Sequence, residues 1–215
     1  MKIIPSIISG NLLAIGEEME RTKAIGAMHI DVEDGNFSTG ITVGLDMVAA
    51  IAAKTHASMD VHLVVTNPAD YIEVLCDLGV TGIGVHIEGA VFPSKLLGMI
   101  KNRGVRAGLA VTLKTPIEMV LPFVDMLDYV LILTNEQDHQ GLKFREWSYE
   151  KIEKARKLLP KDIEVWADGG IKEDILPKVA RAGADHVIIG RALMSAKDPY
   201  AECLRLEGLC KDWSI

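Results

Sequence analysis

The segment MHIDVEDGNF, residues 28–37, carries an imidazole and two carboxylates at alternate positions: His29, Asp31 and Glu33. In a β-strand the period of two puts all three on one face and Ile30 and Val32 on the other. Such a face is either solvated, or buried against something that compensates it, such as a metal ion or a substrate. Related groups recur downstream, as His62 in DVHLV, His86 in GVHIEG and Asp168 in WADGG. Two imidazoles and two carboxylates (His29, Asp31, His62, Asp168) are plausible ligands for one divalent first-row metal, with Zn, Fe, Mn or Co all admissible. Glycines form a second constellation, Gly169-Gly170-Ile171 and Gly190-Arg191. Glycine lets a backbone come close to an anion, and Arg191 adds a permanent positive charge.

These groups need a scaffold that brings them together. Short β-branched runs alternate with helical periodicity along the whole chain. The strand candidates are residues 3–8, 28–33, 58–65, 82–87, 105–111, 129–134, 163–168 and 186–190. Helix candidates between them include LLAIGEEMERTKAIG, PADYIEVLCDLG, SKLLGMIKNRG, SYEKIEKARKLLP and KEDILPKVARAG. Several end in Gly just before the next strand, the usual helix stop. The spacing of about 27 residues per unit is that of a βα repeat. Near-continuous apolar strands alternating with helices imply a parallel sheet covered by helices. Eight units predict an α/β protein, a closed (β/α)8 TIM barrel, in one domain over residues 1–215. An open doubly wound sheet is the alternative, and the lack of GxGxxG after the first strand counts against it.

In such a barrel the active site forms at the C-terminal ends of the strands. Ser6, His29, Asp31, His62, His86 and Asp168 all fall late in their strands and therefore converge at one mouth. His56 precedes strand 3 and His186 begins strand 8 at the opposite end, so neither joins them; His139 lies in a loop. The glycine pairs follow strands 7 and 8, where barrels often hold a phosphate on backbone N–H groups and a short helix N-terminus.

Composition narrows the function. The 215 residues are 49% hydrophobic and carry a net charge of −7, with no long Lys/Arg cluster. Nucleic acid and an anionic membrane are poor partners for such a chain. No apolar run is long enough for a spanning helix, and the first residues are too short for a signal-peptide core. The three cysteines, Cys76, Cys203 and Cys210, form no CxxC pair, and read as reduced thiols of a cytoplasmic protein.

The chain resembles the ribulose-phosphate 3-epimerase family of barrels over nearly its whole length. The resemblance is carried by PSIISGNL, HIDVEDGNF with the following ITVG, DVHLVVTNPADYI, GVHIEG, TPIE and DGGIKEDILPKVARAGAD. Orotidine-phosphate decarboxylase relatives carry Asp-x-Lys-x-x-Asp instead, and strand 3 here has no such lysine. The resemblance implies one divalent metal on His29, Asp31, His62 and Asp168, with Asp31 and Asp168 also moving protons. It implies a sugar-phosphate substrate, carbohydrate metabolism and a homo-oligomer. Ser6 would hydrogen-bond near the site, and His86 would support it or touch substrate. The family's three active-site methionines are replaced here by Glu33, Val64 and Leu133. Its glycine-rich loop after strand 6 is replaced by TNEQDHQGLKF, where Gly141 remains to contribute to a phosphate site. Arg191 stands where the family has a small residue and could restore attraction for phosphate. The activity implied is a metal-dependent 3-epimerase of a ketose phosphate, a pentulose or hexulose phosphate such as D-ribulose 5-phosphate. The alternatives are an aldolase or isomerase using the same chemistry, or a catalytically weak sugar-phosphate binding protein. Keeping both Asp31 and Asp168 argues against the last, since binding alone needs no acid/base pair.

Overall fold

Each predicted strand is found in the computed structural model, which describes residues 1–136 and 143–211. The strands are β1 (Lys2–Pro5), β2 (Ala27–Glu33), β3 (Ser58–Val64), β4 (Gly82–His86), β5 (Arg106–Val111), β6 (Tyr129–Leu133), β7 (Glu164–Asp168) and β8 (His186–Ile189). They pair in parallel in one sheet of order β1-β8-β7-β6-β5-β4-β3-β2. β1 and β8 share a ladder from Lys2–His186 to Pro5–Ile189. Between β1 and β2 the ring closes through one isolated bridge, Ser6 to His29. The helices are α1 (Ile15–Thr22), α2 (Leu45–Ala52), α3 (Ala69–Asp77), α4 (Pro93–Lys101), α5 (Trp147–Leu158), α6 (Leu176–Ala182), α7 (Arg191–Met194) and α8 (Pro199–Gly208). None is long and apolar enough to cross a membrane.

Two local departures have physical causes. The first strand was expected to run to residue 8. It stops at Pro5, and Ile7–Ser9 coils into a 3-10 turn that buries Ile7. Ser6 therefore sits just past the strand, with its N–H donated to Ile189. Between β5 and β6 a 3-10 stretch, Ile117–Met126, takes the place of an α-helix, with Pro122 inside it. Proline has no N–H to donate and crowds the preceding turn of an α-helix.

Outward-facing strand residues such as Ile30, Val61, Ile83 and Val165 pack against the helices in a continuous apolar layer. A smaller cluster, Ile4, Ala110, Tyr129, Leu131, Trp166 and Ile188, fills the barrel interior. Tyr129 and Trp166 stack there with ring centroids 4.4 Å apart. Gly108 gives them room: a Cβ on it would lie 2.3 Å from the Tyr129 ring. This plug is the floor on which the polar mouth is built.

Candidate metal centre and active site

Parallel pairing in register places β2 and β3 residues side by side, His29 with Asp60 and Asp31 with His62. Across the barrel, Asp168 ends β7 opposite Leu133 of β6. One ligand atom from each of His29, Asp31, His62 and Asp168 can be chosen so that all lie within 4.8 Å of one another. His29 Nε2 is 3.1 Å and His62 Nδ1 is 3.0 Å from the same atom, Asp31 Oδ1. Both histidine side chains are fully buried. Two nitrogen and two carboxylate donors converging on one point fit a divalent first-row ion. Ser6 Oγ donates to Asp31 Oδ2 at 3.3 Å.

With only the protein's own groups present, burial opposes charge on each of these side chains, and their neighbours divide them. For Asp31, burial is outweighed by His29 and His62, which hold its carboxyl far below the usual carboxylate range. For Asp168, burial and then the Asp31 charge push the pKa up to about 6. Burial works against a charged His29, but Asp31 and Asp60 beside it raise its pKa well above the ordinary value. His62 goes the other way, its pKa lowered chiefly by burial. Two carboxylates whose environments drive their pKa values apart are equipped for different proton-handling roles.

A cavity of about 570 Å³ opens over this cluster, lined by Ser6, Asp31, Glu33 and Asp168 on the polar floor. Gly169, Gly170, Gly190 and Arg191 line its side. Gly169 and Gly170 both have positive φ, 118° and 67°, a backbone that side-chain-bearing residues rarely adopt. Gly190 precedes α7, and Arg191 begins it. Among the described residues Arg191 makes no ion pair, and Lys172 is the other cation of the wall. Gly141, the remaining glycine assigned to this site, lies outside the described residues. Glu33 takes a hydrogen bond from Ser38 at 2.8 Å and faces the cavity, while Val64 and Leu133 are fully buried. Burial foremost raises the Glu33 pKa. His86 does not line the cavity: it is buried behind His62, the two Nε2 atoms 2.9 Å apart. In this position its direct neighbour is His62.

Three participants escaped the sequence reading. Asp60 Oδ2 is 2.8 Å from His29 Nδ1, and its Oδ1 accepts from the Tyr129 hydroxyl at 2.5 Å. Glu88 lies beyond His86, with Oε2 at 3.1 Å from His86 Nδ1. The period-two rule applied to DVH would have placed Asp60 on the His62 face. Tyr129 carried no such signal, since one aromatic residue at a strand start reads as core.

The architecture is shared with solved structures at low identity. 3-hexulose-6-phosphate synthase from Salmonella typhimurium superposes with a TM-score of 0.74 at 18% identity, covering 99% of each chain. Orotidine 5'-phosphate decarboxylase from Pyrococcus horikoshii OT3 gives 0.68 at 15%, covering 97% of this chain and 99% of that one. Sequence relatives are much nearer. Ribulose-phosphate 3-epimerase of Aquifex aeolicus (strain VF5) is 34% identical, covering 97% of both chains. The cytoplasmic isoform from Oryza sativa subsp. japonica is 35% identical over 92% of this chain and 89% of its own, and the Bacillus subtilis (strain 168) enzyme 32% over 92% and 94%. The model of the ribulose-phosphate 3 epimerase family matches residues 2–194, a span that holds every metal-centre and cavity residue described above, and this chain belongs to that family.

Proposed function

We propose that this protein is a metal-dependent epimerase that inverts C3 of a ketose phosphate, a pentulose or hexulose phosphate such as D-ribulose 5-phosphate, by 1,1-proton transfer. The observation that carries the reading is the convergence of His29, Asp31, His62 and Asp168 on one point at the cavity floor. Those four residues would hold a divalent ion, which supplies positive charge against the negative charge that builds on the substrate's C2 and C3 oxygens. Inverting a carbon beside a ketone requires removing its proton from one face and returning one to the other. Two carboxylates at the same cavity suit that exchange. Asp31 and Asp168 are the two proton carriers, one taking the C3 proton and the other returning one to the opposite face, and the roles exchange in the reverse reaction. Ser6 fixes Asp31 by its hydrogen bond. The substrate's phosphate is assigned to the backbone of Gly169, Gly170 and Gly190 and to the Arg191 guanidinium, which can bind it through two parallel hydrogen bonds. Gly141 is the further backbone donor in this proposal.

The setting proposed is cytoplasmic, supported by three free cysteines, which suit a reducing compartment. Self-association is supported by large apolar side chains exposed on the loops after β1, β2 and β4: Leu13, Ile41, Val91 and Phe92. The test is NMR in D₂O with zinc- or manganese-loaded protein and a panel of ketose phosphates and free ketoses. Deuterium entering at C3 together with the epimer is the expected result. No exchange across the panel, with metal bound, would overturn the assignment.

A further inference from the structure

We propose that Glu88, acting through His86, determines which ring nitrogen of His62 faces the metal centre. The inference rests on His62 being a metal ligand, and it extends that reading to residues outside the cavity. Glu88 lies in the short turn after β4, its side chain only 17% exposed. Its Oε1 accepts from the Thr112 N–H and hydroxyl, each at 2.8 Å, and from the Thr115 hydroxyl. A backbone N–H can only donate, so this side of Glu88 is committed to accepting. Oε2 faces His86 Nδ1, and an ionised carboxylate offers nothing but acceptors. His86 therefore carries its proton on Nδ1.

The rest of the chain follows from counting protons. A neutral His86 with its proton on Nδ1 presents a bare Nε2 to His62 Nε2, 2.9 Å away. Two nitrogens at that distance share one proton, and here His62 must supply it. With its proton on Nε2, His62 turns a bare Nδ1 toward Asp31 Oδ1, the atom pair that is 3.0 Å apart. A bare nitrogen is what a metal ion binds. Phe37, its ring centroid 4.6 Å from that of His86, covers the relay. His29 reaches the same end by a direct route: its Nδ1 meets Asp60, whose other oxygen accepts from Tyr129, leaving Nε2 for the centre. The two ligands thus use opposite nitrogens because their partners lie on opposite sides.

Glu88→Gln tests the relay sharply. The Thr112 N–H fixes the amide's orientation, requiring its oxygen on the Thr112 side. The amide nitrogen then points its hydrogens at His86 Nδ1, which has to accept. Each tautomer in the chain reverses, and His62 is left with a proton on the nitrogen meant for metal. Zinc affinity, by calorimetry on the full chain, is expected to fall about 10–100-fold. Glu88→Ala, which deletes more contacts but imposes no reversal, is expected to lose less. A purely structural role for Glu88 predicts the opposite order. Long-range ¹H–¹⁵N NMR of zinc-loaded wild type reads the tautomers directly and does not depend on any variant folding: His86 should be protonated on Nδ1 alone. A proton on both nitrogens of His86, or on Nε2, would overturn the relay, as would E88Q binding zinc like wild type. Wild type that takes no zinc would defeat the metal-centre reading, and the relay with it.

Discussion

Asp31 and Asp168 are chemically alike, and their neighbours shift their pKa values in opposite directions. Asn at either position keeps the shape and removes the proton carrier, so Asp31→Asn and Asp168→Asn are expected to abolish C3 exchange, by at least a hundredfold. Native-like circular dichroism in both would exclude misfolding as the cause. Arg191 is expected to act in binding. Arg191→Ala should raise KM for a ketose phosphate about tenfold or more, the loss of a charge-assisted hydrogen bond, with a smaller effect on kcat. Equal effects on phosphorylated and free ketoses would remove Arg191 from the phosphate site. The four residues of the candidate metal centre were legible as a cluster because polar groups at alternate positions in apolar strands contradict their surroundings. His86 was legible as a support of the site or a substrate contact, but not its partner, because a sequence does not show which atom faces His62. Glu88 was hidden, since a carboxylate after a strand reads as a solvated loop residue until Thr112 and Thr115 are seen around it.

At the scale of elements, register does the positioning. Parallel strands in register make neighbours of residues 31 apart, His29 with Asp60 and Asp31 with His62. The interior plug sets the height of this layer, and its tightest point is where Gly108 meets Tyr129. Gly108→Ala should destabilise the fold by about 1–3 kcal/mol, the usual cost of overpacking, read from urea unfolding. It should also weaken metal binding if Tyr129 is pushed off Asp60. Unchanged stability would mean that the plug is looser than its contacts indicate. Strands were readable to within a few residues because their apolar runs end at Gly, Pro or polar turns. The first ran on in the reading because Ile7 and Ile8 continue its pattern; Ile7 is buried by a 3-10 turn instead, and burial alone does not distinguish turn from strand. The 3-10 stretch before β6 was hidden similarly, since its apolar spacing suits either helix type and only Pro122 hints at the difference.

At the scale of the whole molecule, the outer support of the metal centre also couples the fold to pH. Burial would raise the Glu88 carboxyl, but the His86 hydrogen bond and the threonines outweigh it and hold it well below the usual range. A carboxyl depressed on folding contributes stability that is fully present above its unfolded pKa, about 4.3 for Glu. That contribution is lost as pH falls through the folded value. Wild type should therefore lose stability relative to E88Q between about pH 5 and 3, measured by urea midpoints; parallel profiles would show that Glu88 contributes no such linkage. The seam of the barrel has a consequence of a different kind. β1 has a full ladder with β8 and a single bridge to β2, so the first strand made is, by pairing, the last to be placed. Lys2 must wait for His186, across nearly the entire chain. Contacts so distant in sequence form late and slowly. During synthesis the N-terminal strand would stay unpaired until the final βα unit emerged, with Ser6 and Gly190 meeting only then. A ribosome-bound chain ending before β8 would carry the candidate metal ligands of β2, β3 and β7 and still lack a closed mouth.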